Sequence, residues 1–184
     1  MLLRLLTILG FGLLAGCGYK AGFDGLPTEY RTITMPYVEG DWNGELTNAI
    51  IGQISRSGSF EYRNDCANLI LIVKVIDFSD ENIGFRYDRH KDGRLRDTII
   101  PVETRLFALV EVSVVDAASG KVVLGPSRLS ANVDFDHDYY SSRNEVNVFS
   151  LGQLSDFDSA NDAAHTPLNY VLSRKIVDYI SDNW

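Results

Sequence analysis

Residues 104–116 read TRLFALVEVSVVD and predict a β-strand with one buried face. Apolar residues occupy every second position of this stretch, which is the period at which the side chains of a strand return to the same face. Residues between them, such as Arg105 and Glu111, are more polar and indicate a wetter opposite face. The predicted inner face consists of Leu106, Ala108, Val110, Val112 and Val114.

Three further segments predict strands around this one. Residues 68–78 (NLILIVKVIDF) are apolar on both faces in their first half, which is typical of a strand inside a sheet. Residues 121–135 follow a predicted turn at 117–120 and alternate again. Residues 30–37 predict a strand that ends at Pro36.

Two segments have the spacing of amphipathic helices. A helix over 44–57 is predicted after a cap at Asp41 or Asn43. A C-terminal helix is predicted to open with Thr166 as its cap and Pro167 at its first position. The apolar stripes are Leu46, Ile50, Ile51 and Ile54 in the first helix and Leu168, Val171, Leu172, Ile176, Tyr179 and Ile180 in the second.

The element order β-α-β-β-β-α predicts an α+β fold in two layers. We expect a four-stranded, mainly antiparallel sheet with both helices on one face, because this arrangement buries both apolar stripes. A single domain is predicted over residues 30–184, after a glycine-rich tether over 17–29. Residues 139–159 are predicted to form a long connection before the last helix.

Composition limits the function classes. The chain has 184 residues with 45% hydrophobic and 23% charged residues, which is typical of a globular domain. Its formal net charge is −8, from 17 basic and 25 acidic residues. A negative field repels phosphate backbones, so we do not expect nucleic acid as a partner.

The N-terminus has the pattern of a lipoprotein leader. Residues 1–16 (MLLRLLTILGFGLLAG) combine an early arginine, an apolar run and small residues directly before Cys17. This pattern predicts a secretory signal peptide. The run LAGC over 14–17 also matches a lipobox, so we expect acyl chains on the thiol of Cys17 and a lipid anchor on a membrane. The alternative is an ordinary secreted protein with a cysteine near its cleavage site.

No catalytic motif is present in the sequence. The chain lacks a nucleophile elbow, a phosphate-binding loop, a zinc-protease helix and a C-x-x-C pair. His90, His137 and His165 are all predicted to lie in loops, and Cys66 is predicted to be a small buried hydrophobic residue. We therefore expect a protein that is not an enzyme and uses no cofactor.

Acidic residues at the end of the predicted 121–135 strand partly match the ligand spacing of a calcium-binding loop. Asp134, Asp136, Asp138 and Glu145 occupy positions that supply ligands in an EF-hand. Tyr139 stands where the sharp turn of that loop needs glycine. We therefore favour a solvated acidic face over a metal site.

A second charged segment is basic. Residues 85–97 (FRYDRHKDGRLRD) contain five cations against three aspartates, with a predicted turn at Asp92 and Gly93 between two strands. Guanidinium groups bind phosphate and carboxylate in a bidentate manner, so this hairpin is a candidate for an anionic ligand. A hairpin tip of mixed charge that merely adds solubility is the alternative. The five cations are Arg86, Arg89, Lys91, Arg94 and Arg96.

As an ordered set, several short motifs resemble the LPS-assembly lipoprotein family (LptE). They are CGY at 17–19, LP at 26–27, YRTI at 30–33, LTNAI at 46–50, ANLIL at 67–71 and the amphipathic C-terminal helix.

The resemblance implies a lipid-anchored protein on the periplasmic side of the outer membrane, a location that Gly18 also favours in such lipoproteins. It implies that the protein plugs an outer-membrane β-barrel of the LPS-assembly translocon, aids barrel folding and assists delivery of lipopolysaccharide to the outer leaflet. It also implies lipopolysaccharide binding by the five cations of the 86–96 hairpin.

Two other functions remain open at this point. A periplasmic lipoprotein that activates a cell-wall synthase could have the same anchor and a similar small domain. A lipid-anchored hydrolase could use dispersed groups such as Asp136 and His137.

Overall fold

Strand β4 (Leu95–Asp116) runs through a five-stranded sheet in the computed structural model, which describes residues 30–140 and 154–183. It pairs antiparallel with β3 (Leu69–Arg89) on one side and with β5 (Val122–Asp136) on the other. Two short strands complete the order β2-β1-β3-β4-β5. They are β1 (Thr32–Thr34), which is parallel to both of its neighbours, and β2 (Glu61–Tyr62).

The helices α1 (Glu45–Ser57) and α2 (Phe157–Asp182) cover one face of this sheet. Alternate residues of β4 from Leu106 to Val114 are buried beneath them, whereas the residues between are only half-buried. The predicted α+β class in two layers is therefore confirmed. The sheet has five strands rather than four because β2 has two residues, too few for any alternation to appear in the sequence.

The N-cap of α1 is Gly44, which offers no side-chain cap, so the predicted cap at Asp41 or Asn43 was wrong, although both side chains bind amides of the first turn. The Asp41 carboxylate accepts hydrogen bonds from the Thr47 amide at 2.8 Å and the Thr47 hydroxyl at 2.6 Å. Asn43 accepts from the Glu45 amide at 3.2 Å. Both predicted candidates therefore satisfy donors at this helix end, which would otherwise lack partners.

Helix α2 starts earlier than predicted. Its cap is Asp156, whose side chain accepts from the Ser159 amide, so Thr166 and Pro167 lie inside the helix. The proline lacks one backbone donor, but buried residues on both sides, Ala164 and Leu168, hold the segment against the core. The predicted cap at Thr166 was wrong because packing against the core outweighs the free-energy cost of a proline inside the helix.

The largest departure from the prediction is the length of β3 and β4. They were predicted to end at residue 78 and to begin at residue 104, but they stay paired as far as Arg89 and Leu95. We call the resulting extension, residues 79–103, the arm. Its pairing contains bulges around Gly84, where an added Cβ would lie 2.5 Å from the Cβ of Glu103.

Candidate functional site

The tip of the arm is a tight turn, as predicted. The His90 amide donates to the Arg94 carbonyl at 2.8 Å, and the Gly93 amide donates to the His90 carbonyl at 2.8 Å. Gly93 has φ of 87°, a left-handed conformation that glycine adopts without steric cost. The Asp92 carboxylate accepts from the Arg94 amide and side chain, and these bonds lower the pKa of Asp92.

The five predicted cations lie at this tip, but they differ in the groups that they bind. Arg94 pairs with Asp92 at 2.7 Å, and Arg96 pairs with Asp88 at 3.1 Å. Arg89 donates from one guanidinium nitrogen to the Gly93 carbonyl at 3.2 Å. Within the described part of the chain, two of the five make neither an ion pair nor a side-chain hydrogen bond and extend from exposed positions, so they remain available to an anion. These two are Arg86 and Lys91.

Asp88 fixes the shape of the tip from beneath. Its side chain is only 7% exposed. It forms an ion pair with Arg96 and accepts hydrogen bonds from the Arg89 amide at 2.6 Å and from the Tyr140 hydroxyl. Ile100, opposite Arg86 in the register, is buried as well. One face of the arm is therefore covered by the protein's own chain.

The opposite face of the arm is apolar and open to solvent. Tyr87 pairs directly with Ile99, and Phe85 lies two residues before Tyr87 on the same face. Leu95 begins β4 beside them, opposite Arg89. These four side chains, which we call the apolar stripe, are 58–61% exposed. They were not predicted as a surface because the sequence around them is dominated by charges, although the alternation F-R-Y at 85–87 was a signal.

A buried polar group joins the base of the arm to the rest of the sheet. The Thr104 hydroxyl donates to Asn82 Oδ1 at 2.9 Å and so accepts from His137 Nε2 at 3.0 Å. Burial lowers the pKa of His137, and Asp136 and Asp138 partly oppose that change. His137 is therefore a neutral structural side chain in this conformation.

Two other predictions about single residues were wrong. His165 lies in α2 rather than in a loop, and its ring stacks on Phe78 with centroids 5.0 Å apart. Cys66 is exposed rather than buried, with φ of 53° in the turn before β3.

Two acidic residues of the calcium pattern, Asp134 and Asp138, have protein partners. Asp134 accepts two hydrogen bonds from Arg105, at 2.7 and 2.8 Å, and these lower the pKa of Asp134. Asp138 accepts from the Tyr140 amide at 3.0 Å. Glu145 and Cys17 lie outside the described residues. Over 30–140 and 154–183, no three His, Cys, Asp or Glu side chains are grouped closely enough to hold a metal ion.

A cleft of about 560 Å³ lies between the start of α1, the middle of β3 and α2. Its floor is apolar, and Trp42 stands 99% exposed at its rim.

Neither described helix is long and apolar enough to cross a membrane.

Comparison with known proteins gives a shared fold. No family model and no curated protein matches this chain. A minor lipoprotein from Acinetobacter baumannii is similar in structure, with 15% identity over 84% of this chain and 92% of that chain and a TM-score of 0.51.

Two lipoproteins align less well. One is from Caulobacter crescentus (14% identity, 82% of this chain and 86% of that one, TM-score 0.46). The other is rare lipoprotein B from Shewanella oneidensis (13% identity, 83% and 95%, TM-score 0.46). These identities are low, so the conclusion from the comparisons is that this chain has the α+β fold of the Acinetobacter lipoprotein.

Proposed function

We propose that this chain is an outer-membrane lipoprotein that assists lipopolysaccharide assembly and catalyses no reaction. The proposal rests on the lipobox at 14–17, which stands in a chain whose domain shares its fold with a bacterial lipoprotein. In it, Cys17 carries the acyl chains and the domain faces the periplasm. Each buried methylene contributes about 0.8 kcal/mol, so two or more long chains hold such a domain on a bilayer.

The proposed partner is the outer-membrane β-barrel of the LPS-assembly translocon, which the domain would plug. A plug must keep its shape, and the continuous core beneath α1 and α2 supplies that rigidity. The net charge of −8 would complement a basic lumen. A lipid anchor raises the local concentration of the domain beside its partner.

The proposed contact with lipopolysaccharide is the tip of the arm. Arg86 and Lys91 are the cations there with neither an ion pair nor a side-chain hydrogen bond among the described residues, and phosphate groups are their natural ligands. Arg89 keeps further guanidinium donors beyond the one bound to Gly93. Arg94 and Arg96, in contrast, are mainly occupied in holding the turn.

Affinity purification of the lipidated protein from solubilised outer membrane tests the partner. We expect an outer-membrane barrel to co-purify, and we expect depletion of the protein to lower the level of that barrel or of surface lipopolysaccharide. Recovery of an inner-membrane cell-wall synthase instead would favour the alternative function. Fatty-acid labelling tests the anchor, because Cys17→Ser should abolish a label that Cys66→Ser retains.

A further inference from the structure

The apolar stripe points to a use of the arm that the proposed function does not include. Four large hydrophobic side chains, each more than half exposed, lie on one short hairpin. Scattered exposed hydrophobic residues are normal, but a contiguous group at the end of a projecting element indicates a contact surface.

The two faces of the arm differ in how far their side chains are buried. On one face, Asp88 and Ile100 are buried, and the Tyr140 hydroxyl reaches Asp88. On the other face, Tyr87 and Ile99 stand side by side at 58% and 59% exposure. Thus, within 30–140 and 154–183, the protein's own chain covers the first face and leaves the second exposed.

The charges around the stripe indicate which kind of molecule this is. Residues 85–97 contain five cations and three acids in a chain whose net charge is −8. Two of those acids, Asp88 and Asp92, are already neutralised by Arg96 and Arg94. The cations left over are Arg86, Arg89 and Lys91, of which Arg89 lies opposite Leu95 of the stripe and Lys91 lies in the turn. Unpaired cations beside an apolar surface are the pattern of segments that lie in the interface of an anionic bilayer.

We propose that the tip of the arm inserts into a phospholipid bilayer with anionic headgroups. The apolar stripe enters the boundary between headgroups and acyl chains. Arg89, which lies opposite Leu95 of the stripe, and Lys91 in the turn contact the headgroups. Aromatic side chains such as Phe85 and Tyr87 favour this depth, because their rings are apolar and tyrosine keeps a polar end at the water side. The inference is independent of the proposed function, since it requires neither lipopolysaccharide nor a barrel.

The experiment places an environment-sensitive fluorophore on the stripe of the lipidated protein. Cys66→Ser removes the exposed thiol, and Ile99→Cys supplies a new attachment site at an exposed position, so the core is not disturbed. Val122→Cys is the matched control, because Val122 is 55% exposed and lies at the opposite end of the sheet, opposite Val115. The proteins are reconstituted in vesicles of phosphatidylglycerol with phosphatidylcholine and in vesicles of phosphatidylcholine alone.

We expect brominated acyl chains to quench the probe at residue 99, but not at 122, in the anionic vesicles. Replacing Arg89 and Lys91 together by glutamine should lower the ratio of inserted to free tips by roughly fivefold for each charge removed. A second label at Tyr87→Cys should repeat the result, which guards against a local effect of one substitution.

Three results would overturn the inference. The probe at 99 could remain as exposed to water as the probe at 122 in every vesicle. It could be shielded only after an outer-membrane protein is added, in which case the apolar stripe is a protein-docking surface. It could be shielded only when lipopolysaccharide replaces phosphatidylglycerol, in which case the tip serves the proposed function alone.

Discussion

At the scale of single residues, Asp88 decides whether the tip keeps its shape. It is a nearly buried carboxylate with three donors around it, from Arg89, Arg96 and Tyr140. Asp88→Ala would leave the guanidinium of Arg96 and the hydroxyl of Tyr140 without their acceptor, and a lost bond to a charged group costs about 1.5–3 kcal/mol.

We therefore expect faster hydrogen exchange at the amides of residues 86–100 in that variant. Asp92→Ala is the matched control, because its partner Arg94 is 81% exposed at the side chain and surface ion pairs contribute little. Equal exchange in the two variants would show that Asp88 has no special role.

His137 makes stability depend on pH. Its pKa is lower in the folded protein than in the unfolded chain because it is buried, so the unfolded state binds the proton more readily. The contribution of the neutral, buried His137 to the free energy of unfolding is fully present above the unfolded pKa of about 6.5. It is lost as the pH falls below that value.

Urea unfolding at pH 5–8 measures this effect. We expect the wild type to lose free energy of unfolding below pH 6.5 with a slope of up to about 1.4 kcal/mol per pH unit beyond that of His137→Gln. Glutamine can still donate to the Thr104 hydroxyl, so it removes the titration and keeps the hydrogen bond. Parallel curves for the two proteins would contradict the assignment.

At the scale of elements, the bulged pairing of the arm depends on Gly84. A methyl group there would meet both the Cβ and the carboxylate of Glu103 at about 2.5 Å, so the backbone would have to shift. Gly84→Ala should lower the free energy of unfolding by about 1–3 kcal/mol, as overpacking does elsewhere. Gly52→Ala in α1, which meets only the side chain of Arg56, should instead stabilise by about 0.5–1 kcal/mol in the same chemical-denaturation assay.

The same elements show what the sequence could predict. Helix α1 and the inner half of β4 were predicted closely because the periodic spacing of their apolar residues reflects burial against the core. The arm was missed because its strands pair mainly with each other and have no core face to impose a period. The tip was found through its charges and its Asp92–Gly93 turn, whereas the engagement of each cation depends on contacts such as that with Tyr140, which is distant in the chain.

At the scale of the whole molecule, the start of the described chain and the tip lie at opposite ends of the sheet. The described chain begins at Tyr30, which lies beside Asn68 and Asp116. Strand β4, with 22 residues, leads from Asp116 to the tip and has a contour length of roughly 70 Å. The 13 residues over 17–29 reach at most about 45 Å, so they cannot span that distance beside an upright domain. If the tip and the acylated Cys17 share one bilayer, the long axis of the sheet must therefore tilt strongly towards the membrane surface.

Energy transfer from labels on the domain to a headgroup dye measures this orientation. We expect similar, high efficiencies from donors at Ile99→Cys and Val122→Cys in the Cys66→Ser background on anionic vesicles, because both ends would lie near the surface. An upright domain would give high transfer from residue 122 and little from residue 99, since the arm would project away from the membrane. On phosphatidylcholine alone, the weaker attraction of Arg89 and Lys91 should release the tip and lower the transfer from residue 99 only. A large difference between the two donors on anionic vesicles would contradict the flat orientation and would leave the arm directed towards a partner away from the anchoring bilayer.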